Sequence, residues 1–308
     1  MRIGFLGTPE FARPSLQALL EAGHTIAFVV TQPDRPVGRG RKTRPTAIKV
    51  AAQAAGLPVL QPERVSSAES IEAIKAFAPD LLAVVAFGQI LSDKLLNLPR
   101  LGAVNVHASL LPRWRGAAPI QRAILNGDTE TGVTTMWMAA RLDAGDIILQ
   151  QAVPISPQDT AGTLSDRLAV EGARLLARTV GLVEAGSAPR LPQNESRVTL
   201  APPIRPEEGL IAWSSPAGGI CNLVRALNPA PGAFTHRAGQ RIKVWQARAV
   251  VRAEGKPGQV VEVMGDGIAV AAGSGAVVIT QVQPESRRIM DAGAYARGYR
   301  LAATEMLG

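Results

Sequence analysis

Continuous apolar runs separated by helical patterns dominate the first half of the chain, and they restrict it to few folds. "RIGFLG" (2–7) leads through Pro9 into an amphipathic stretch that ends at Gly23. "HTIAFVVT" (24–31), "LPVL" (57–60) and "DLLAVVAF" (80–87) follow, with helical patterns at 45–56 and 66–77 between them. Strands that are apolar on both faces predict a parallel sheet covered by helices on both sides. Such sheets bind ligands at the carboxyl ends of their strands, where the strand order reverses. "GAVNVH" (102–107) closes a further strand at such an end. Asn105 and His107 stand two residues apart, so both side chains leave the same face. An amide and an imidazole there are costly in a core and useful in a site.

Two more apolar stretches, "GVTTMWM" (132–138) and "IILQQAVPI" (147–155), bracket the turn "RLDAGD" (141–146). A long helix over roughly 159–185 carries Leu164, Leu168, Leu175 and Leu176 on one side. The stretch "GSAPRLPQNESRVTLAPPIRPEE" (186–208) is polar and proline-rich and reads as a linker. Beyond it, β-rich runs alternate with Gly-Asp-Gly and Gly-Ser-Gly turns, as in hairpins, and a small antiparallel barrel is the natural closure. The expectation is therefore an α/β domain over 1–188, Rossmann-like, its mostly parallel sheet flanked by helices. A linker over 189–207 and an OB-like antiparallel β-barrel over 208–308 complete it.

Hydrophobic content of 46% with 19% charged residues describes a chain with a real core. The single cysteine, Cys221, forms no internal disulfide and fits a reducing compartment. No apolar run approaches the roughly 20 residues needed to span a bilayer, and "MRIGFLGTPEF" enters a strand without a leader pattern. A soluble, cytoplasmic, monomeric chain is expected. The formal net charge of +8 points to polyanionic partners. Much of that charge is concentrated in "PDRPVGRGRKTRPTAIK" (33–49), where Arg35, Arg39, Arg41, Lys42, Arg44 and Lys49 face one acid, Asp34. A solvated surface loop is the usual fate of such a run.

Ionisable candidates for catalysis are few. The three histidines, His24, His107 and His236, lie far apart, and no metal-ligand spacing accompanies them, so no metal site is expected. There is no G-x-S-x-G elbow and no Walker sequence, and neither "GRGRKT" nor "GTPEF" carries the glycines of a dinucleotide fingerprint. Nicotinamide redox chemistry loses its support. What remains is Asn105, His107 and the acidic turn at Asp143. An amide donor beside an imidazole suits a developing oxyanion, and a nearby carboxylate suits an imidazole that must hold or relay a proton. The set would serve direct attack by an amine on an acyl carbon. A structural histidine and a turn-forming aspartate before Gly145 fit the same residues; spacing does not decide between the two readings.

"NVHASLLPRWRGAAPIQ" (105–121) resembles the signature of the folate-dependent formyltransferases: Asn-x-His, then Ser-Leu-Leu-Pro, then Gly-Ala-x-Pro. "LDAGD" (142–146) matches their acidic loop. "GTPEFA" (7–12), "TQPDRPVGRGRK" (31–42) and "KVW" (243–245) extend the resemblance along essentially the whole chain, to the branch whose acceptor is methionine esterified to initiator tRNA. The resemblance implies 10-formyltetrahydrofolate as formyl donor and Asn105, His107 and Asp143 as the catalytic set. It implies that Ser109, Leu110, Leu111 and Pro112 line the folate site. Ala86, Phe87, Gly88, Gln89, Ile90 and Leu91 would form the pterin pocket with the loop before Asp143. It further implies that the basic loop enters the acceptor end of the tRNA, with Arg39 as its key residue and Arg41 and Lys42 beside it. Arg225, Arg237, Arg241, Lys243 and Arg248 would add phosphate contacts. Phe87 departs from a frequent tyrosine, and Arg141 and Ala144 from the usual glycine and threonine. A relative acting on another amine, such as an amino sugar or glycinamide ribotide, needs neither the basic loop nor the barrel. An RNA-binding protein on a degenerate transferase scaffold needs no catalytic set.

Overall fold

The apolar residues of the strands in the first half divide between two different cores. The structure, a computed structural model, describes residues 1–37, 42–251 and 254–308. Ile3, Phe5, Leu81, Ala83, Val85, Val104 and Val106 pack on one side of the sheet with Leu16, Leu19, Ile48, Leu176 and Val180. Those partners come from the helices Arg13–Glu21, Ala47–Ala54 and Ala161–Glu184. Leu6, Phe28, Val30, Leu82, Val84 and Ala103 pack on the other side with Ile74 and Leu95, from Ala68–Ala76 and Asp93–Leu96. Burial on both faces is what makes these strands read as unbroken apolar runs.

The seven strands lie in the order Ile147–Pro154, Glu130–Trp137, Ala103–His107, Leu81–Val85, Arg2–Gly7, Thr25–Val30, Val59–Leu60. The last five are mutually parallel, and Glu130–Trp137 runs antiparallel to its neighbours on both sides. The order reverses between Arg2–Gly7 and Leu81–Val85, so the switch point falls one strand away from His107 and at the root of residues 86–91. That corrects the expectation that Asn105 and His107 mark the reversal themselves. Within the basic run, Arg35–Val37 and Lys42–Arg44 pair antiparallel, with Arg35 opposite Arg44 and Val37 opposite Lys42.

The chain divides into two compact units. The first comprises Met1–Pro119, Glu130–Pro154 and Ser165–Ala201; the second comprises Ile120–Thr129, Ile155–Leu164 and Pro202–Gly308. The stretch expected as a linker is thus divided, with 189–201 built into the first unit and 202–207 into the second. In the second unit the antiparallel sheet runs Ala233–Arg237, Gln240–Val250, Ala276–Pro284, Ile268–Ala271, Val260–Val263. It wraps a core of Trp213, Ile220, Val224, Val244, Val260, Val277, Ile279 and Tyr295. The C-terminal tail joins the two edge strands. Val260 N–H donates to Glu305 O at 2.8 Å, and Gly308 N–H donates to His236 O at 3.0 Å. Among the described residues, no helix is long and apolar enough to cross a membrane.

Candidate active site

Strand period puts Asn105 and His107 on the sheet face opposite Val104 and Val106, which belong to the core. His107 is buried and Asn105 partly exposed. Among the described residues the Asn105 amide has no hydrogen-bond partner, so its N–H groups are available to a reacting oxygen. The His107 ring faces an oxygen on each side. Nε2 lies 2.8 Å from Trp114 O, and Nδ1 lies 3.6 Å from Asp143 Oδ2. Both neighbours are acceptors. A neutral imidazole carries one N–H and can serve one of them; the imidazolium serves both.

Asp143 comes to the ring from 36 positions away in sequence, on the loop between Glu130–Trp137 and Ile147–Pro154. Its Oδ2 accepts Gly116 N–H at 2.9 Å, which anchors the carboxylate independently of the histidine. The loop is tightly closed, because a Cβ at Gly145 would overlap the Trp137 carbonyl oxygen. Trp114, whose carbonyl holds the ring, sits on a segment that pairs with the chain at 199–201. Arg115–Gly116 runs parallel to Leu200–Ala201, and Arg115 N–H donates to Thr199 O at 2.9 Å. Glycine is required at 116, where φ is +129° and a Cβ would stand 2.6 Å from Ala201 O.

The sequence reading missed the groups behind the expected catalytic set: Trp114 O, Gly116 N–H, Gln193 and Thr199. Gln193 Nε2 donates to Asp143 O and to Gly145 O, both at 2.8 Å. Its Oε1 accepts from Arg115 Nε at 3.0 Å and Nη2 at 2.8 Å. Arg115 and Arg141 both reach Glu195, at 2.9 and 3.0 Å, and the Arg115 hydrogen bond above all holds the Glu195 carboxyl below its ordinary range. Arg141, a departure from the usual glycine, therefore has an ionic partner.

The expected folate residues divide by exposure. Ala86, Gly88 and Ile90 are exposed, Ile90 at 84%. Ala86 and Gly88 have φ of +48° and +86°, both in the left-handed region. Phe87 and Leu91 are core residues beneath it. Thr8 Oγ1 donates to Phe87 O at 2.8 Å, and Gln89 accepts Val65 N–H at 2.8 Å. Leu110 and Pro112 are partly exposed, whereas Ser109 and Leu111 are buried. Ser109 Oγ donates to Arg113 O at 2.6 Å, and Gln150 Nε2 donates to Leu111 O at 2.9 Å. Ser109 and Leu111 thus shape the turn and do not expose a side chain to a ligand.

Arg39 and Arg41 lie outside the described residues, and of Lys42 only the backbone pairing with Val37 is described. Of the five basic residues of the second unit expected to contact phosphate, four are engaged internally. Arg225 donates to Ser156 O and Asp159 O, Arg237 pairs with Glu305, Arg241 lies 3.6 Å from the Phe234 ring centroid, and Lys243 Nζ donates to Pro231 O. Arg248 is exposed.

Residues 1–180 match the family described as Formyl transferase, and residues 203–300 match Formyl transferase, C-terminal domain. The chain is 55% identical over 309 residues to the methionyl-tRNA formyltransferase of Moorella thermoacetica, covering 100% of this chain and 99% of that one. Among solved structures, the N-formyltransferase of Helicobacter canadensis in complex with folinic acid and dTDP-3-aminofucose is similar at a TM-score of 0.69. The likeness covers 91% of this chain and 99% of that one at 19% identity. HypX from Aquifex aeolicus in complex with tetrahydrofolic acid has a TM-score of 0.64 at 19% identity, covering 99% of this chain and 48% of that one. At that identity the two structures share the fold.

Proposed function

We propose a chemistry for a chain that belongs to the methionyl-tRNA formyltransferase family: direct attack of an amine on a formyl carbon, assisted by Asn105, His107 and Asp143. The activity is the formylation of methionyl-tRNA, and the family is folate-dependent. The donor we infer is 10-formyltetrahydrofolate, and the acceptor is the free α-amine of methionine on initiator tRNA. A bond forms from that nitrogen to the formyl carbon, and the bond from the carbon to the folate nitrogen breaks. The proton lost by the amine ends on the departing nitrogen.

The observation that carries this reading is the His107 ring between two acceptors, on the same strand face as the Asn105 amide, which has no partner among the described residues. Asn105 donates an N–H to the developing oxyanion, and the charge of the protonated ring stabilises it. Asp143 balances that charge and orients the ring. The exposed Ala86, Gly88 and Ile90 suit one face of a flat heterocycle, and Phe87 and Leu91 brace the loop from below. Leu110 and Pro112 would add contacts, and Ser109 and Leu111 would hold their turn. Arg39, Arg41 and Lys42 would engage the acceptor end of the tRNA, since guanidinium groups pair with phosphate and base edges. We assign catalysis to 1–188 and tRNA support to 208–308, joined through 189–207. Every group named comes from one chain, so the reading needs no second copy.

The test is incubation with 10-formyltetrahydrofolate and methionine-charged initiator tRNA, with charged elongator tRNA in parallel. Formyl-methionine on the initiator alone is the expected product. Release of formate without transfer to either tRNA would refute the proposed acceptor.

A further inference from the structure

The stretch 193–201 reads as a connector, yet it grips both protein groups that face the His107 ring. On the Nδ1 side, Gln193 Nε2 donates to Asp143 O and to Gly145 O. On the Nε2 side, Thr199 Oγ1 accepts Trp114 N–H at 2.8 Å. Asp143 and Trp114 both sit at positive φ, +49° and +61°. Side-chain-bearing residues hold that conformation only where their surroundings enforce it.

The orientation of the Gln193 amide is fixed. Its oxygen takes two hydrogen bonds from the Arg115 guanidinium, which has no acceptor to offer, so its nitrogen must face the two carbonyls. We propose that Gln193 is a positioning residue for formyl transfer: by clasping the carbonyls of Asp143 and Gly145 it sets where the Asp143 carboxylate meets His107. Resting on the reading of Asp143 and His107 as the catalytic pair, the proposal adds a residue 50 positions from Asp143. Gln193 touches no reacting atom and acts through Asp143 alone.

Gln193→Glu is the informative variant. It preserves the size and the Arg115 pairing, but turns an oxygen without hydrogen toward two carbonyl oxygens. Gln193→Met, which removes the polar contacts altogether, serves as the second variant. Steady-state formylation is followed for both, at a temperature where circular dichroism shows each folded, alone and in an Asp143→Ala background. The His107 ring signals are followed by NMR.

The expected result is a fall in kcat of about 10²-fold with KM for both substrates nearly unchanged, the size associated with small misplacement of a catalytic group. The His107 signals shift. In the Asp143→Ala background neither substitution costs anything further, because the group it positions is gone. Unchanged kcat in both Gln193 variants, beside a large loss in Asp143→Ala, would overturn the proposal alone. So would an equal further loss in the Asp143→Ala background, which would make the role a general structural one. Full activity of Asp143→Ala by itself would overturn the catalytic reading underneath, and the proposal with it.

Discussion

Asp143 Oδ2 accepts the Gly116 N–H at 2.9 Å and stands 3.6 Å from His107 Nδ1, so one carboxylate oxygen faces both the main chain of Arg115–Gly116 and the ring at the end of Ala103–His107. Asp143→Asn retains an oxygen for Gly116 and removes the charge opposite the ring. The expected outcome is a folded protein whose kcat drops by about 10²–10⁴-fold, the range of a lost acid–base partner. Steady-state formylation at saturating substrates measures it, and a wild-type rate would remove Asp143 from the mechanism.

Gly116→Ala attacks the same contact from the backbone. The new Cβ meets Ala201 O at 2.6 Å in a conformation that an L side chain rarely adopts. The chain must shift away from Leu200–Ala201, carrying the Gly116 N–H off Asp143. A destabilisation of about 1–3 kcal/mol in urea unfolding is expected, together with reduced activity. A variant as stable and active as the parent would show that the close approach is unimportant.

Cys221 lies buried on Ala217–Ala226 within the core of the second unit. Burial pushes its thiol up to about 11. At pH 8 almost none is thiolate, the nucleophilic form. Ellman's reagent should therefore react with the native protein far more slowly than with the urea-unfolded chain. Equal rates would place the thiol at the surface.

Glu305 tests the tail that joins the edge strands. Its carboxylate accepts Arg237 Nε at 2.8 Å and Nη2 at 3.0 Å. That hydrogen bonding, with the Ala302 N–H next, holds its carboxyl below the ordinary glutamate range. A lowered carboxyl contributes stability that is present in full above its unfolded value and is lost as pH falls through its folded value. Glu305→Gln should cost about 1 kcal/mol at pH 7, discounted for the partly exposed pair. The difference from the parent should shrink as pH drops below about 4. Thermal melts of both proteins between pH 3 and 7 decide this; a pH-independent difference would mean that the pairing is not its source.

The parts of the site legible in the sequence were those that local geometry dictates. Strand period alone places Asn105 and His107 together, and their polarity at the end of an apolar run marks them. The approach of Asp143 to His107 depends on how a loop folds over the sheet, and no spacing encodes that; the family signature supplied it. Main-chain groups such as Trp114 O and Gly116 N–H carry no residue signature. Gln193 was hidden for a different reason. Proline and polar residues announce a segment without a hydrophobic face, and "LPQNESRVTL" (191–200) is one. Yet such a segment can be fastened by hydrogen bonds to backbone, as Gln193 and Thr199 are. In the second unit the strands followed from alternation and Gly-rich turns, whereas closure through residues 304–308 depends on main-chain bonds.

The second unit draws its residues from three separate stretches, taking Ile120–Thr129 and Ile155–Leu164 as well as Pro202–Gly308. Arg122 reaches Glu208 at 2.7 Å, and Arg225 reaches Asp159 O at 3.0 Å, so those early stretches are wired into it. A gene fragment starting at Pro202 would encode an incomplete body with orphaned arginine partners. Exchange of this region between related genes is therefore constrained by coadaptation: a crossover near residue 202 inherits one half of each contact from each parent. The two halves of the coding sequence can diverge together more readily than they can be shuffled.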